Sequence, residues 1–132
     1  MGISSDTPLR RVVTTHKSSK STILFDESIE LQSGFGSNAV TLWQNFQHPA
    51  ELRDSDPVEP DKRDIYASGS LIRVVDFPPN SQGHNHRTAS LDYGIVLEGE
   101  LELLMEDDSR TTVGAGDVIV QQAVGTHFFF LP

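Results

Sequence analysis

His84 and His86 stand two residues apart in Gly83-His84-Asn85-His86. On an extended strand, residues i and i+2 face the same way, so the two imidazoles can converge on one point. Neutral imidazole is the commonest metal-ligating side chain. The pair alone is weak, since with 5 His in 132 residues an H-x-H arises by chance in about one such sequence in five. A solvated loop pair after Pro-Pro-Asn-Ser-Gln-Gly explains it without any function. The surroundings add weight. Asp92 follows six residues after His86 and can supply a carboxylate oxygen, and Gly99 stands seven residues further on. Gly116-Asp117-Val118-Ile119-Val120-Gln121 then leads to His127.

Other polar residues carry less. His16 and His48 have no partner spacing and read as surface residues. Asp107-Asp108 reads as a turn rather than a paired-carboxylate catalyst. Gly114 and Gly116 are not a phosphate loop, because no Lys-Ser/Thr follows and no helix begins there. Glu98 and Glu100 flank a turn and are expected in solvent.

The elements that must position these residues are strands. RRVVTTH (10–16) and STILF (21–25) are β-branched runs separated by the polar KSSK, which reads as two strands and a turn. SGFGSN (33–38) is a breaker, and AVTLWQNF (39–46) has strand composition at a length that also allows a short helix. HPAELRDSDPVEPDKRD (48–64) is rich in proline and acid and reads as a long surface loop ordered through its contacts. From residue 70 the pattern is purely β. SLIRVVDF (70–77) is a strand. LDYGIVLEGELELLM (91–105) reads as a hairpin turning at Glu98-Gly99. Leu101, Leu103 and Met105 alternate with Glu100, Glu102 and Leu104, which places one face on a core. Asp107-Asp108-Ser109 is the next turn, followed by RTTV, and Gly114-Ala115-Gly116-Asp117 is another, which leads into VIVQ before the closing THFFFL. Short strands at this spacing indicate a sandwich or barrel.

Composition narrows the function classes. Ten Lys+Arg against nineteen Asp+Glu give a net charge of −9, a field that repels phosphate backbones, so no nucleic-acid partner is expected. No apolar run approaches the ~20 residues of a membrane helix, so no membrane partner is expected. The start, MGISSDTPLRR, does not read as a secretory signal. Cysteine is absent, which excludes disulfides, thiolate ligands and a cysteine nucleophile. A cytoplasmic protein is the expectation.

At this point the chain resembles the cupin family. Its first motif has the form G-x5-H-x-H-x3,4-E-x6-G and its second G-x5-P-x-G-x2-H-x3-N. His84 and His86 match the H-x-H, Gly99 the closing glycine, and Asp92 stands where the family has its Glu, one carbon shorter and one position late. His127 matches the last histidine by its distance from Gly116, whereas Gln122, Val124 and Leu131 replace the Pro, Gly and Asn of the second motif. The string GHNHRTASLDYGIVLEGE, with RVVDFPP before it, AGDVIVQ after it, VVTTHK near the start and Trp43, is similar to a subgroup of small fungal cupins. Members occur in polyketide gene clusters and are labelled cupin-domain oxidoreductases.

The resemblance implies an all-β fold: a single-domain, jelly-roll, antiparallel cupin barrel lacking the C-terminal strands that would follow Pro132. Within it, residues 1–47 give N-terminal strands, 48–69 the long acidic loop, and 70–131 the core barrel with both motifs. It implies a divalent metal held by His84, His86, Asp92 and His127; such N and O donors suit Fe, Mn, Ni or Zn. Near that pocket Arg87 can bind a carboxylate or enolate oxygen and Tyr93 can donate a proton, although alternation from His86 points Arg87 outward. Phe128, Phe129 and Phe130 cannot all share one strand face. Two of them pack inward, or they join the contact of a homodimer.

Two functions remain open on the sequence. One is a metal-dependent enzyme acting on a small polyketide-derived or carbonyl-containing substrate by oxidoreduction, dehydration, isomerisation or decarboxylation. The other is a metal-free small-molecule binding or accessory cupin, which the departures at Asp92 and in the second motif favour. A shortened, non-functional product is a third possibility, and metal content separates the first two.

Overall fold

The computed structural model describes residues 9–34, 37–58, 69–81, 90–122 and, for the backbone, 126–130. These residues form ten strands in four antiparallel sheets, with no helix among them. The chain divides into two compact units, one reaching Asp76 and the other running on from Phe77.

In the first unit, β1 (Leu9–Lys17) and β2 (Lys20–Ile29) form a hairpin closed by Lys17 opposite Lys20. Both turn residues, Ser18 and Ser19, take positive φ (51° and 63°), the twist that a two-residue hairpin loop requires. β3 (Gln32–Gly34), β4 (Ser37–Asn45) and β5 (Ser70–Asp76) make a three-stranded sheet with β4 central. The run from 39 that also allowed a helix is strand because it pairs on both sides. Between Thr41 and Trp43 the β4–β5 register shifts, and Leu42 is the extra residue. A bulge of this kind leaves its residue outside the ladder. The Leu42 carbonyl accepts instead from Arg11 Nη1 at 2.9 Å.

Arg11 is only 8% exposed. Its guanidinium also donates to Glu27, directly across the hairpin, and to Asp56 Oδ2 at 2.8 Å. It lies 5.5 Å from the Phe25 ring centre, a distance at which the ring face attracts a cation. One side chain thus ties β1 to β2, to β4 and to the segment after β4. That segment, 46–58, has no strand but is fastened by side chains. Thr15 Oγ1 donates to Asp54 at 2.5 Å, and the buried Gln44 amide donates to the Pro57 carbonyl at 2.8 Å. The buried Asn45 caps its start, donating to the Gln47 carbonyl and accepting from the Glu51 N–H. The long acidic loop is therefore ordered, over its described part, by contacts rather than by local structure.

The second unit corrects one reading of the sequence. β6 (Leu91–Ile95) and β7 (Glu100–Met105) do not form a hairpin. β6 pairs with β9 (Val118–Gln122), whereas β7 lies between β8 (Arg110–Gly114) and β10 (Thr126–Phe130). The physical reason is Val96. Its N–H donates to the Asp117 carbonyl at 3.0 Å and its C=O accepts from the Gly116 N–H at 2.8 Å. Both groups are committed to the turn before β9, and Gly99, at φ 81°, redirects the chain into another sheet. The turn at Glu98-Gly99 is real, but the strands it joins part company.

The remaining turns are those expected. Asp107 Oδ1 accepts from the Ser109 N–H at 3.0 Å, and the Met105 and Ser109 backbones close the β7–β8 connection at 2.9 Å. Asp117 Oδ2 accepts from the Gly114 N–H at 2.9 Å, fixing the β8–β9 turn. Leu103 is buried on β7, between the half-buried Glu102 and Leu104.

Two stability predictions follow from the first unit. A Cβ on Gly69 would lie 1.8 Å from the Asn45 carbonyl oxygen and 2.9 Å from the Phe46 Cα. Backbone cannot yield as a flexible side chain can, so Gly69→Ala should cost about 3 kcal/mol, read as a lower denaturation midpoint. The second concerns Asp56. Burial disfavours its charge, but the Arg11 hydrogen bond, the Val58 N–H and the Arg11 charge outweigh that and hold its pKa below the ordinary 3.8. A carboxylate with a lowered folded pKa contributes fully above its unfolded value and loses that contribution as pH falls through the folded one. With its side chain 38% exposed, solvent screening limits the effect to about 1 kcal/mol. Asp56→Asn should therefore lower stability by about 1 kcal/mol at neutral pH and converge on the parent as pH falls through the lowered pKa of folded Asp56, as denaturation at a series of pH values would show.

Candidate functional site

Asp92 is the one proposed ligand whose side chain the structure describes. It sits second on β6, opposite Gln121 of β9, and is half-buried. Ser90 Oγ donates to its Oδ1 at 2.7 Å. A hydroxyl that fixes one carboxylate oxygen orients the group and leaves the other oxygen to accept elsewhere, the arrangement that supports metal-ligating carboxylates. His84, His86 and Arg87 lie outside the described residues. The backbone of His127 lies on β10, opposite Leu104 of β7. Among the described residues no three His, Asp or Glu side chains converge on one point.

Tyr93 is 71% exposed, whereas its neighbours Asp92 and Gly94 are half-buried. Alternation along β6 thus turns the phenol to the face opposite Asp92. His16 and His48 are exposed, as their isolation in the sequence suggests.

Both motif glycines have a backbone reason. Gly99 and Gly116 are the two described glycines at positive φ, 81° and 91°. Gly99 ends the first motif and Gly116 opens the second. The hydrogen bond from the Gly116 N–H to the Val96 carbonyl joins the two motifs at one end of the β6–β9 ladder. The pattern of glycines is therefore a record of where the chain turns, and what it positions is strand β6 with Asp92 on it.

A concavity lies wholly within the first unit. It is a cleft of about 240 Å³ lined by Arg11, Glu27, Thr41, Asp56, Val58 and Arg73, among others. Arg11 meets the two carboxylates, Glu27 and Asp56, and Arg73 Nε donates to Thr41 Oγ1 at 3.2 Å. Sequence reasoning placed Arg11 only within the strand run RRVVTTH (10–16). The available signal was alternation: Arg11, Val13 and Thr15 share one side of β1, and that side is the inner one.

Nothing lies within 4 Å of a Cβ built on Gly99 or Gly116, so substitution there costs backbone conformation alone. Gly99→Ala should destabilise by about 1–2 kcal/mol, Gly99→Asn by less and Gly99→Val by more, in the order of their tolerance for positive φ. Thermal or urea unfolding of the three variants checks the ranking.

Comparison with known proteins places the motifs in a family. Residues 73–130 match the cupin domain model. A cupin-domain-containing oxidoreductase of Neurospora crassa, srdD, is 33% identical over 86 residues, covering 62% of this chain and 44% of the relative. The cupin-domain-containing oxidoreductase virC of Hypocrea virens is 46% identical over 56 residues, 42% of this chain and 29% of the relative. Phomopsin biosynthesis cluster protein C' of Diaporthe leptostromiformis is 43% identical over 54 residues, 41% of this chain and 29% of that protein. The chain thus spans less than half the length of each of these relatives. Residues 73–130 match a cupin domain, and over part of its length the chain is similar to fungal cupin-domain oxidoreductases and secondary-metabolite cluster proteins.

Proposed function

We propose that this chain is a metal-dependent cupin enzyme of fungal secondary metabolism, acting on a small polyketide-derived or carbonyl-containing metabolite. The observation that carries the reading is the cupin match over 73–130, joined to relatives named as oxidoreductases. The donor chemistry fits: His84, His86 and His127 with Asp92 would supply imidazole nitrogens and one carboxylate oxygen, the set that Fe, Mn, Ni or Zn accepts. Bound there, such an ion would polarise a carbonyl oxygen as a Lewis acid, and iron would add redox chemistry.

The chain's own contribution is positional. Ser90 holds the Asp92 carboxylate in one orientation, and the Val96 bonds to the β8–β9 turn hold β6 against β9. Strand positions of this kind are set more precisely than loop positions, which favours a defined donor geometry. Tyr93, on the other face of β6, takes no part in this reading.

Elemental analysis of the purified chain tests it. Near-stoichiometric Fe, Mn, Ni or Zn is expected, with loss of the metal in the His84→Ala/His86→Ala double variant. Ser90→Ala should weaken metal affinity by about tenfold, the usual effect of removing a group that orients a ligand. A metal-free protein whose ligand binding survives the double variant would instead establish the accessory, small-molecule-binding alternative.

A further inference from the structure

The cleft of the first unit plays no part in the proposed metal chemistry, and of its lining only Arg73 falls within the cupin match. Three parts of the unit supply its polar walls. The β1–β2 hairpin gives Arg11 and Glu27, the β4–β5 ladder gives Thr41 and its partner Arg73, and the irregular segment gives Asp56. Val40 and Val58 add apolar surface. Three observations separate this cleft from a packing gap. The first is a penalty: Arg11 is 8% exposed and its Nε has no hydrogen-bond partner, which close packing of apolar side chains would avoid. Local violations of this kind concentrate at functional sites. The second is the bulge. The β4–β5 register shifts immediately after Thr41, and bulges beside functional sites re-aim side chains. Thr41 Oγ1 accepts from Arg73 Nε at 3.2 Å, which leaves its hydroxyl hydrogen to donate. The third is charge. Two guanidinium groups and two carboxylates line the cleft of a chain that carries −9. An anion there would meet Glu27 and Asp56, and a cation would meet Arg11 and Arg73. An uncharged occupant opposes neither pair.

We propose that this cleft binds an uncharged small molecule with a carbonyl at one end of an apolar body and a hydroxyl at the other. The carbonyl accepts from the Thr41 hydroxyl, beside the positive charge of Arg73. The hydroxyl donates to Glu27 or Asp56. Both carboxylates bond Arg11, yet their side chains remain 44% and 38% exposed, and a carboxylate has lone pairs for further donors. The apolar body lies against Val40 and Val58. Size sets the last limit. The cleft holds about 240 Å³, and a water takes about 30 Å³ in the liquid, so a molecule on the order of ten non-hydrogen atoms fits.

Ligand-observed NMR titration of the full chain tests this, with para-hydroxyacetophenone as the probe at about pH 6.5, where its phenol is uncharged. Saturable binding is expected with a Kd of ~1 mM or tighter, the range for a ligand of this size. The equally large para-hydroxybenzoate, which carries a carboxylate, should bind at least about tenfold more weakly. Thr41→Val, with unchanged far-UV circular dichroism, should weaken the neutral probe about fivefold, the effect of one lost hydrogen bond. Val58→Phe, on the irregular segment and outside every ladder, should abolish binding by filling the cleft, and stands in if the threonine variant is misfolded. The comparison of the two probes needs no variant at all. Absence of saturation up to roughly 10 mM overturns the proposal, as does equal or tighter binding of the benzoate. So does a folded variant of either kind that leaves affinity unchanged. Binding that is lost with EDTA, or in the His84→Ala/His86→Ala double variant, places the probe at the metal ligands and also overturns it. Metal content is read separately, so failure here does not touch the proposed catalytic reading.

Discussion

Val96 commits both its backbone groups to the turn before β9, and the arrangement of the second unit depends on that commitment. A residue just past a strand end usually has its choice of partner open. Once the N–H is given to Asp117 and the C=O to Gly116, β6 is extended by one rung toward β9 and cannot fold back on β7. The next residues must then carry the chain elsewhere, and Gly99 at φ 81° is where it turns. Gly116, at φ 91°, presents its own N–H to Val96 from the other side. Two glycines in left-handed conformation and one valine thus determine which strands are neighbours. Any side chain at either glycine would tax this closure through its backbone alone.

The other unit is organised around a charge. Arg11 is nearly sealed from solvent, yet three of its contacts are to oxygen: Leu42 C=O, Glu27 and Asp56. Desolvating a guanidinium is costly, and two carboxylates with 44% and 38% exposed side chains return only part of that through attraction. Arg11 Nε is moreover buried without a hydrogen-bond partner, which costs about 1–3 kcal/mol. An apolar residue would be cheaper for stability. What it could not do is take the carbonyl that the Leu42 bulge releases and, with the same head group, hold Asp56. The arginine therefore specifies how an irregular acidic segment lies on a sheet, a task with no hydrophobic equivalent.

How far the sequence discloses this fold depends on the range of the interaction involved. Strand positions were legible from alternation and punctuation, because both are local: RRVVTTH, STILF and VIVQ lie in strands, SLIRVVDF does so as far as Asp76, and the Asp107-Asp108-Ser109 turn closes as its residues suggest. The partner of β6 was not legible. Glu-Gly between two apolar runs signals a turn whether the strands pair or diverge, and Val96 chooses through atoms that every residue possesses. Arg11 was hidden for a related reason, since its inward direction shows only when β1 is seen against Leu42 and Asp56, 31 and 45 residues away. Of the proposed ligands, Asp92 was legible as an acid at the motif position. Its Ser90 support was not, because a serine two residues earlier has many possible partners.

Strand β6 carries two incompatible surfaces only one residue apart. Asp92 and Gly94 face one way; Leu91, Tyr93 and Ile95 face the other. With a side-chain period of two, a slip of one residue against β9 would exchange the faces, placing a carboxylate among exposed valines and a tyrosine on the half-buried side. β1–β2 and β4–β5 each tolerate a register shift, whereas the five β6–β9 pairs run without one. The difference follows from what each ladder has to keep apart. A bulge at Leu42 supplies a carbonyl that Arg11 uses, so irregularity there is part of the packing. Within β6 an extra residue would mix a hydrogen-bonded acid with an apolar face, and the Val96 bonds at the end of the ladder hold the count. The fidelity of that register, more than any single side chain, is what allows one short strand to orient a carboxylate on one side and leave the other free of charge.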